Sequence, residues 1–211
     1  MLKLHGRPRS NYYNAVKVIL LEKGLNFEEV IEPLPPRAEF LALSPMKKVP
    51  CLVTEHGPLT ETGVIIDYLE ETHPDTRMLP TDAFARAKSK EMMKSLELYI
   101  EWVARRGYGA LRGETVSEES QAAIAADLGQ AITALGPTLR FDPWLGGAEF
   151  GAADAMAYFM LIYARISAKT NADIDLLDAL SAEAWFERVT QRESVSRTLA
   201  DAADYAKATQ G

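Results

Sequence analysis

Ser10 stands at the end of the loop Gly6-Arg7-Pro8-Arg9, after a short apolar strand candidate at 1–5. It precedes a segment with Val16, Ile19, Leu20 and Lys23 at helical spacing, which Gly24 stops. A serine in that place brings its hydroxyl and the free N–H groups of a helix's first turn into one small volume, a donor arrangement suited to an anion. The same position suits an ordinary N-cap. A second group of chemically capable residues lies between 46 and 66. Pro50 enters a short apolar strand at 51–53, Glu55-His56-Gly57-Pro58 makes a tight polar turn, and Glu61-Thr62 open a helix after a brief second strand. Proline donates no ladder hydrogen bond, so Val49-Pro50 fits a strand start; X–Pro bonds are mostly trans, and sequence alone reads this one as trans. His5, His56 and His73 have no metal-ligand spacing and fall at a strand end, a turn and a helix end. Cys51, the one cysteine, sits in a strand as a small hydrophobe. No metal is expected.

The elements that must hold these residues follow from periodicity and punctuation. Residues 27–32 carry Phe27, Val30 and Ile31 and read as a second strand, which with the first strand and helix makes a βαβ unit. Pro33, Pro35 and Pro36 lead to a short helix at 37–43; the hairpin and a helix at 61–72, with Val64, Ile65, Tyr68 and Leu69 on one face, complete the order βαβαββα. His73-Pro74-Asp75 closes this part, and Leu79-Pro80-Thr81-Asp82 reads as a linker. The expected division is an α/β domain at 1–76 and an all-helical bundle at 82–211. In the latter, 84–112 carries a stripe of Met93, Leu96, Ile100 and Val103, and 117–140 repeats the pattern through Ile124, Leu128, Ala131, Leu135 and Leu139. The segment 152–167 is apolar on nearly every side and must be surrounded by other helices. Gly151 and Asp154 at its start have the layout of a cap with an acid at the third helical position. Two further helices, 184–190 and 193–205, close the chain.

Composition narrows the function. With 211 residues and 47% hydrophobic content, the chain can bury a core without metal or disulfide staples. A net charge of −7 argues against a nucleic-acid partner, which normally meets a basic face. The opening Met-Leu-Lys-Leu-His has neither a basic nor a long apolar region, and no run approaches a membrane span, so a cytoplasmic protein without a membrane partner is expected.

Lys48-Val49-Pro50 followed by Glu61-Thr62 resembles the glutathione-binding half of the cytosolic glutathione S-transferase family, and Trp144-Leu145-Gly146-Gly147 with Phe150 and Asp154 resembles its second motif, with Gly151 where Ser or Thr is usual. The resemblance implies a thioredoxin-like domain followed by a helical one. It implies a cis Val49-Pro50 bond, with the Val49 main chain pairing with the cysteinyl backbone of glutathione. Glu61 and Thr62 would hold the γ-glutamyl end and Lys48 the glycyl carboxylate, with Arg9 and Tyr12 as further contacts. Counted back from Glu22-Lys23-Gly24, Ser10 falls on the catalytic serine of serine-type members; Asn11, Tyr12 and Tyr13 are rivals for the thiolate contact. Such a site must ionise a thiol of pKa about 8.5. Lowering it two units takes about 2.7 kcal/mol. One hydrogen bond to a charged sulfur supplies roughly 1.5–3 kcal/mol and a helix N-terminus about 0.3–1, so no base, metal or cofactor beyond glutathione is needed. The second substrate, a small hydrophobic electrophile, is expected between the domains beside Tyr99, Trp102, Val103 and Arg106, and the family habit implies a homodimer. Arg9-Ser10 also resembles the zeta-class opening Arg-Ser-Ser-Cys, with Asn11-Tyr12 replacing Ser-Cys, which implies an isomerase alternative; a non-catalytic binding or regulatory member is a third reading.

Overall fold

In the computed structural model, which describes residues 1–209, β1 (Leu2–Gly6) lies between two partners. It pairs in parallel with β2 (Phe27–Ile31), Leu2 facing Phe27 and Gly6 facing Ile31, and antiparallel with β3 (Cys51–Thr54), His5 facing Cys51. β3 turns through Glu55-His56 into β4 (Gly57–Thr60), giving the mixed order β2-β1-β3-β4. The turn is tighter than expected, because Thr54 Oγ1 accepts from His56 N–H at 3.1 Å and donates to Gly57 O at 3.0 Å, which draws Gly57 and Pro58 into the strand. This is a thioredoxin-like sheet.

The helices α1 (Asn11–Glu22) and α3 (Thr62–Thr72) pack together, with α2 (Phe40–Leu43) shorter than expected because the proline-rich loop runs on past Arg37. Gly24, at φ +65°, lets the chain leave α1 where a side chain would strain the backbone. Packing groups residues Met1–Met78 with those from Gln191 onward as one unit, and Leu79–Thr190 as another. The last helix, α10 (Glu193–Ala208), therefore lies on α1 instead of joining the helices that precede it. Two clamps explain this. Lys17, 1% exposed, gives its ammonium to Glu29 at 2.8 Å and to Asp201 at 2.7 Å. At the far end of α1, Glu22 accepts from Arg192 at 3.0 and 2.7 Å and from the Ser194 hydroxyl.

In the helical unit the long apolar segment is one rod with a defect. α4 (Ala83–Ser95) passes into a π-helical turn at Leu96–Glu101 and then α5 (Trp102–Arg105), so the helix stops before Gly107 instead of running to 112. Gly107 is required there, since a Cβ would stand 2.4 Å from Asn171 Nδ2. α6 (Glu118–Leu135) and α7 (Ala152–Ala172) follow, and α7 buries Met156, Tyr158, Phe159 and Leu161. Asp154, wholly buried, accepts from Gly151 N–H at 2.9 Å, Leu145 N–H at 2.7 Å and Trp185 Nε1–H at 2.7 Å. Burial pushes its carboxyl above the usual range even though these three donors pull it down. The short α8 (Leu176–Ala179) precedes α9 (Glu183–Thr190), which carries Trp185.

Glu22 provides a pH test of the α1–α10 clamp. Burial raises its pKa, but the Arg192 and Ser194 hydrogen bonds and the Arg192 charge together outweigh that and leave it below the usual value. Its stabilisation is therefore complete above the unfolded glutamate pKa and is lost as pH falls through the lower folded value. Denaturant unfolding should show Glu22→Gln less stable than the wild type at neutral pH, with the gap closing as pH falls below about 4.3; a gap independent of pH would contradict the clamp.

Candidate active site

The register of the sheet brings the three sequence regions to one end of the strands. His5 faces Cys51, so the next step along each strand sets Pro50 beside Gly6, and Cys51 faces Thr60, so the step beyond sets Glu61 beside Pro50. The β1–α1 loop with Ser10, the Val49-Pro50 peptide and the Glu61-Thr62 corner thus converge. Val49-Pro50 is cis.

Ser10 is the N-cap of α1, in extended backbone, its Oγ accepting from Tyr13 N–H at 3.3 Å. A hydroxyl accepts and donates at once, and no described residue accepts the Ser10 proton. The cap role and a donor role are therefore compatible. Asn11 is buried at the first position of the helix and Tyr12 is half-buried. Tyr13 is not available: its ring is wholly buried and its hydroxyl donates to Glu29. Burial and then the Glu29 carboxylate push its pKa upward, so it stays a neutral phenol. The fit is tight, because a Cβ at Gly6 would lie 2.1 Å from the Tyr13 ring.

Glu61 does not begin the helix as expected. It is the residue before it, at φ +67° and ψ 115°, exposed and without a side-chain cap bond, and Thr62 behind it is buried. A non-glycine residue at such angles costs about 1–3 kcal/mol and persists where the surroundings fix it, commonly at ligand sites. Lys48 is exposed, with its main chain held twice by Ser44, whose hydroxyl donates to Lys48 O at 2.8 Å and accepts its N–H at 3.2 Å. Arg9 is exposed.

Glu32, which sequence reading passed over as a strand end, is 1% exposed. It accepts from Arg37 at 3.2 and 2.9 Å and pairs with His5 Nδ1 at 2.9 Å, tying the loop after β2 to the sheet. Burial raises its pKa, yet the bonds and charges of Arg37 and His5 more than reverse this and hold it below the carboxylate range. The nearby Cys51 thiol is pushed up to about 11 by burial and the Glu32 charge, so it is no nucleophile. In the helical unit, Tyr99 and Trp102 are 54% and 56% exposed, Val103 is half-buried, and Arg106 is committed to Asp127 at 2.7 Å. Among the described residues no His, Cys, Asp or Glu cluster could hold a metal ion, and no helix is long and apolar enough to cross a membrane.

This fold, a thioredoxin-like domain followed by helices, with a serine-capped helix facing a cis-proline turn, has clear relatives. Residues 4–77 match the family profile "Glutathione S-transferase, N-terminal domain". The chain is 41% identical to a glutathione S-transferase of Pseudomonas putida over 95% of its own length and 92% of the relative's. It is 26% identical to a stringent starvation protein A homolog of Pasteurella multocida, over 89% and 85% respectively. The crystal structure of a glutathione S-transferase from Rhodospirillum rubrum matches with a TM-score of 0.73 and 28% identity, covering 94% of this chain and 92% of that one. The chain belongs to the glutathione S-transferase family.

Tyr13→Phe tests the exclusion of Tyr13. The change removes one buried hydrogen bond and should lower unfolding stability by about 1 kcal/mol, while conjugation of glutathione to an aryl halide stays within about twofold of the wild type. A large loss of rate at full stability would reinstate Tyr13 as the thiolate's partner.

Proposed function

We propose that this protein conjugates glutathione, as a thiolate, to small electrophilic carbon centres. The tripeptide lies across this end of the strands, its cysteinyl backbone paired with the Val49 main chain at Pro50. Its γ-glutamyl end rests at Glu61 and Thr62, and its glycyl carboxylate at Lys48, with Arg9 and Tyr12 as flanking contacts. Ser10 donates to the sulfur at the positive end of α1, with Asn11 as a second donor, and so holds the negative charge that attacks the electrophile. A carbon–sulfur bond forms and the leaving group departs with its electron pair, or an activated double bond takes up a proton.

The convergence of Ser10, the Val49-Pro50 peptide and the Glu61-Thr62 corner at one end of the strands carries this reading. The strained backbone of Glu61 supports it, since a solvent-exposed corner with no ligand to serve has no use for that conformation. Tyr99, Trp102 and Val103 are the proposed electrophile contacts in the helical unit; Arg106, already paired with Asp127, contributes less. A homodimer acting in the cytoplasm completes the proposal. The isomerase alternative rests on Arg9-Ser10 alone.

Ser10 variants separate its two jobs. Ser10→Ala should lower kcat for conjugation about 10–100-fold, the loss of one charge-assisted hydrogen bond, with less than about a threefold change in glutathione Kd. Ser10→Asp caps a helix as well as serine does but sets a negative charge against the sulfur, so it should unfold like the wild type and turn over more slowly than the alanine variant. Equal losses in rate and affinity, or an active Ser10→Asp, would remove Ser10 from the chemistry.

A further inference from the structure

Arg7 is a cation that the fold leaves without a partner. It is half-buried in the β1–α1 loop, its Nε is shut off from solvent, and no described residue accepts a hydrogen bond from it or pairs with its charge. Other cations of the same unit are committed, Lys17 to Glu29 and Asp201, Lys23 to Glu70 and Arg37 to Glu32. A charged donor that loses water and gains no acceptor is costly, and such a group in a folded protein calls for an occupant. Its place is fixed, because Ser10 N–H donates to Arg7 O at 2.9 Å, one tight turn from the capping hydroxyl. The first turn of α1 holds an unfilled acceptor against the same loop: Asn14, 4% exposed, donates through Nδ2 to Pro8 O at 2.8 Å and leaves its buried Oδ1 without a donor. Glu29 and Glu32, the acids brought against β1 and α1, are already bonded to Tyr13 and Lys17 and to His5 and Arg37. Residues 1–21 include Lys3, Arg7, Arg9 and Lys17 and no Asp or Glu, in a chain whose net charge is −7.

We propose that Arg7 selects the second substrate, favouring electrophiles that carry a carboxylate or a similar planar anion. The proposal rests on the transferase reading and names its substrate class. A guanidinium presents parallel N–H groups in a fork that matches two oxygens of one carboxylate. A thiolate is a single atom, already served by the Ser10 hydroxyl and the first turn of α1, so the fork suits the other reactant. With an aryl chloride bearing a carboxylate, the glutathione sulfur bonds to the ring carbon, the carbon–chlorine bond breaks, and chloride leaves with the electron pair. The carboxylate does not react; it holds the ring in place.

The test compares two glutathione S-conjugates made from a chlorodinitrobenzoate and the matching chlorodinitrobenzamide, which differ only in carboxylate against neutral amide. Calorimetry should show the wild type binding the carboxylate conjugate about tenfold more tightly, and the two aryl chlorides should be turned over with the same order of preference. In Arg7→Gln the ratio should fall to about one, and in Arg7→Lys, which keeps the charge and loses the fork, to an intermediate value. A wild type without preference, or a preference that survives in Arg7→Gln, overturns the assignment. Binding of S-methylglutathione to the wild type separates the two levels: uptake of it without discrimination between the conjugates refutes the role of Arg7 alone, whereas no uptake of any of the three refutes the transferase reading as well.

Discussion

The Tyr13 ring occupies the space where a side chain at residue 6 would stand, and this contact between α1 and β1 sets the position of the helix tip that Ser10 caps. Glycine at 6 allows the approach, and the phenol hydroxyl bonded to Glu29 fixes the ring's rotation against β2. Lys17, one turn further along the helix, takes hold of the same carboxylate and of Asp201. A hydroxyl and a helix dipole stabilise a sulfur anion only if both already point at it, because reorientation during the reaction would consume the gain. The packing of α1 holds the helix tip in one place, as the proposed role of Ser10 requires.

The ion pairs around α1 are better regarded as orienting devices than as sources of stability. Lys17 is buried, but its partners Glu29 and Asp201 keep contact with solvent and Glu22 is half-buried, so these pairs return little net energy. Their geometry, however, admits one arrangement. The C-terminal helix is part of it, since Asp201 and Arg192 both come from the last stretch of the chain. In the helical unit Asp154 has the corresponding role, one carboxylate closing the start of α7, the Leu145 loop and the Trp185 indole at once.

Much of this was legible in the sequence because it is local. Two-residue alternation, helical spacing and the glycines and prolines between them give the order of elements, and Ser10, Pro50 and Asp154 announce themselves by position. What was not legible depends on partners far away along the chain. Lys17 looks like a solvated helix residue until Asp201, 184 positions later, is seen against it. Tyr13 reads as a candidate donor because nothing near it in sequence shows that Gly6 clears a place for its ring. Glu61 sits in a left-handed corner that no residue preference for glutamate would indicate, and nothing in the loop sequence marks Arg7, because an absent partner leaves no trace there. The π-helical turn at Leu96–Glu101 likewise follows no breaker residue, and the stripe of Met93, Leu96 and Ile100 that passes through it gave no warning.

The charge state of bound sulfur decides whether Ser10 and the tip of α1 act as proposed. Titrating the ultraviolet absorbance of the thiolate in the glutathione complex of the wild-type protein measures it directly. A midpoint one to two units below the free thiol's, about 8.5, is what a hydroxyl donor at a fixed helix tip requires. A midpoint at the free value, with glutathione demonstrably bound, would contradict it.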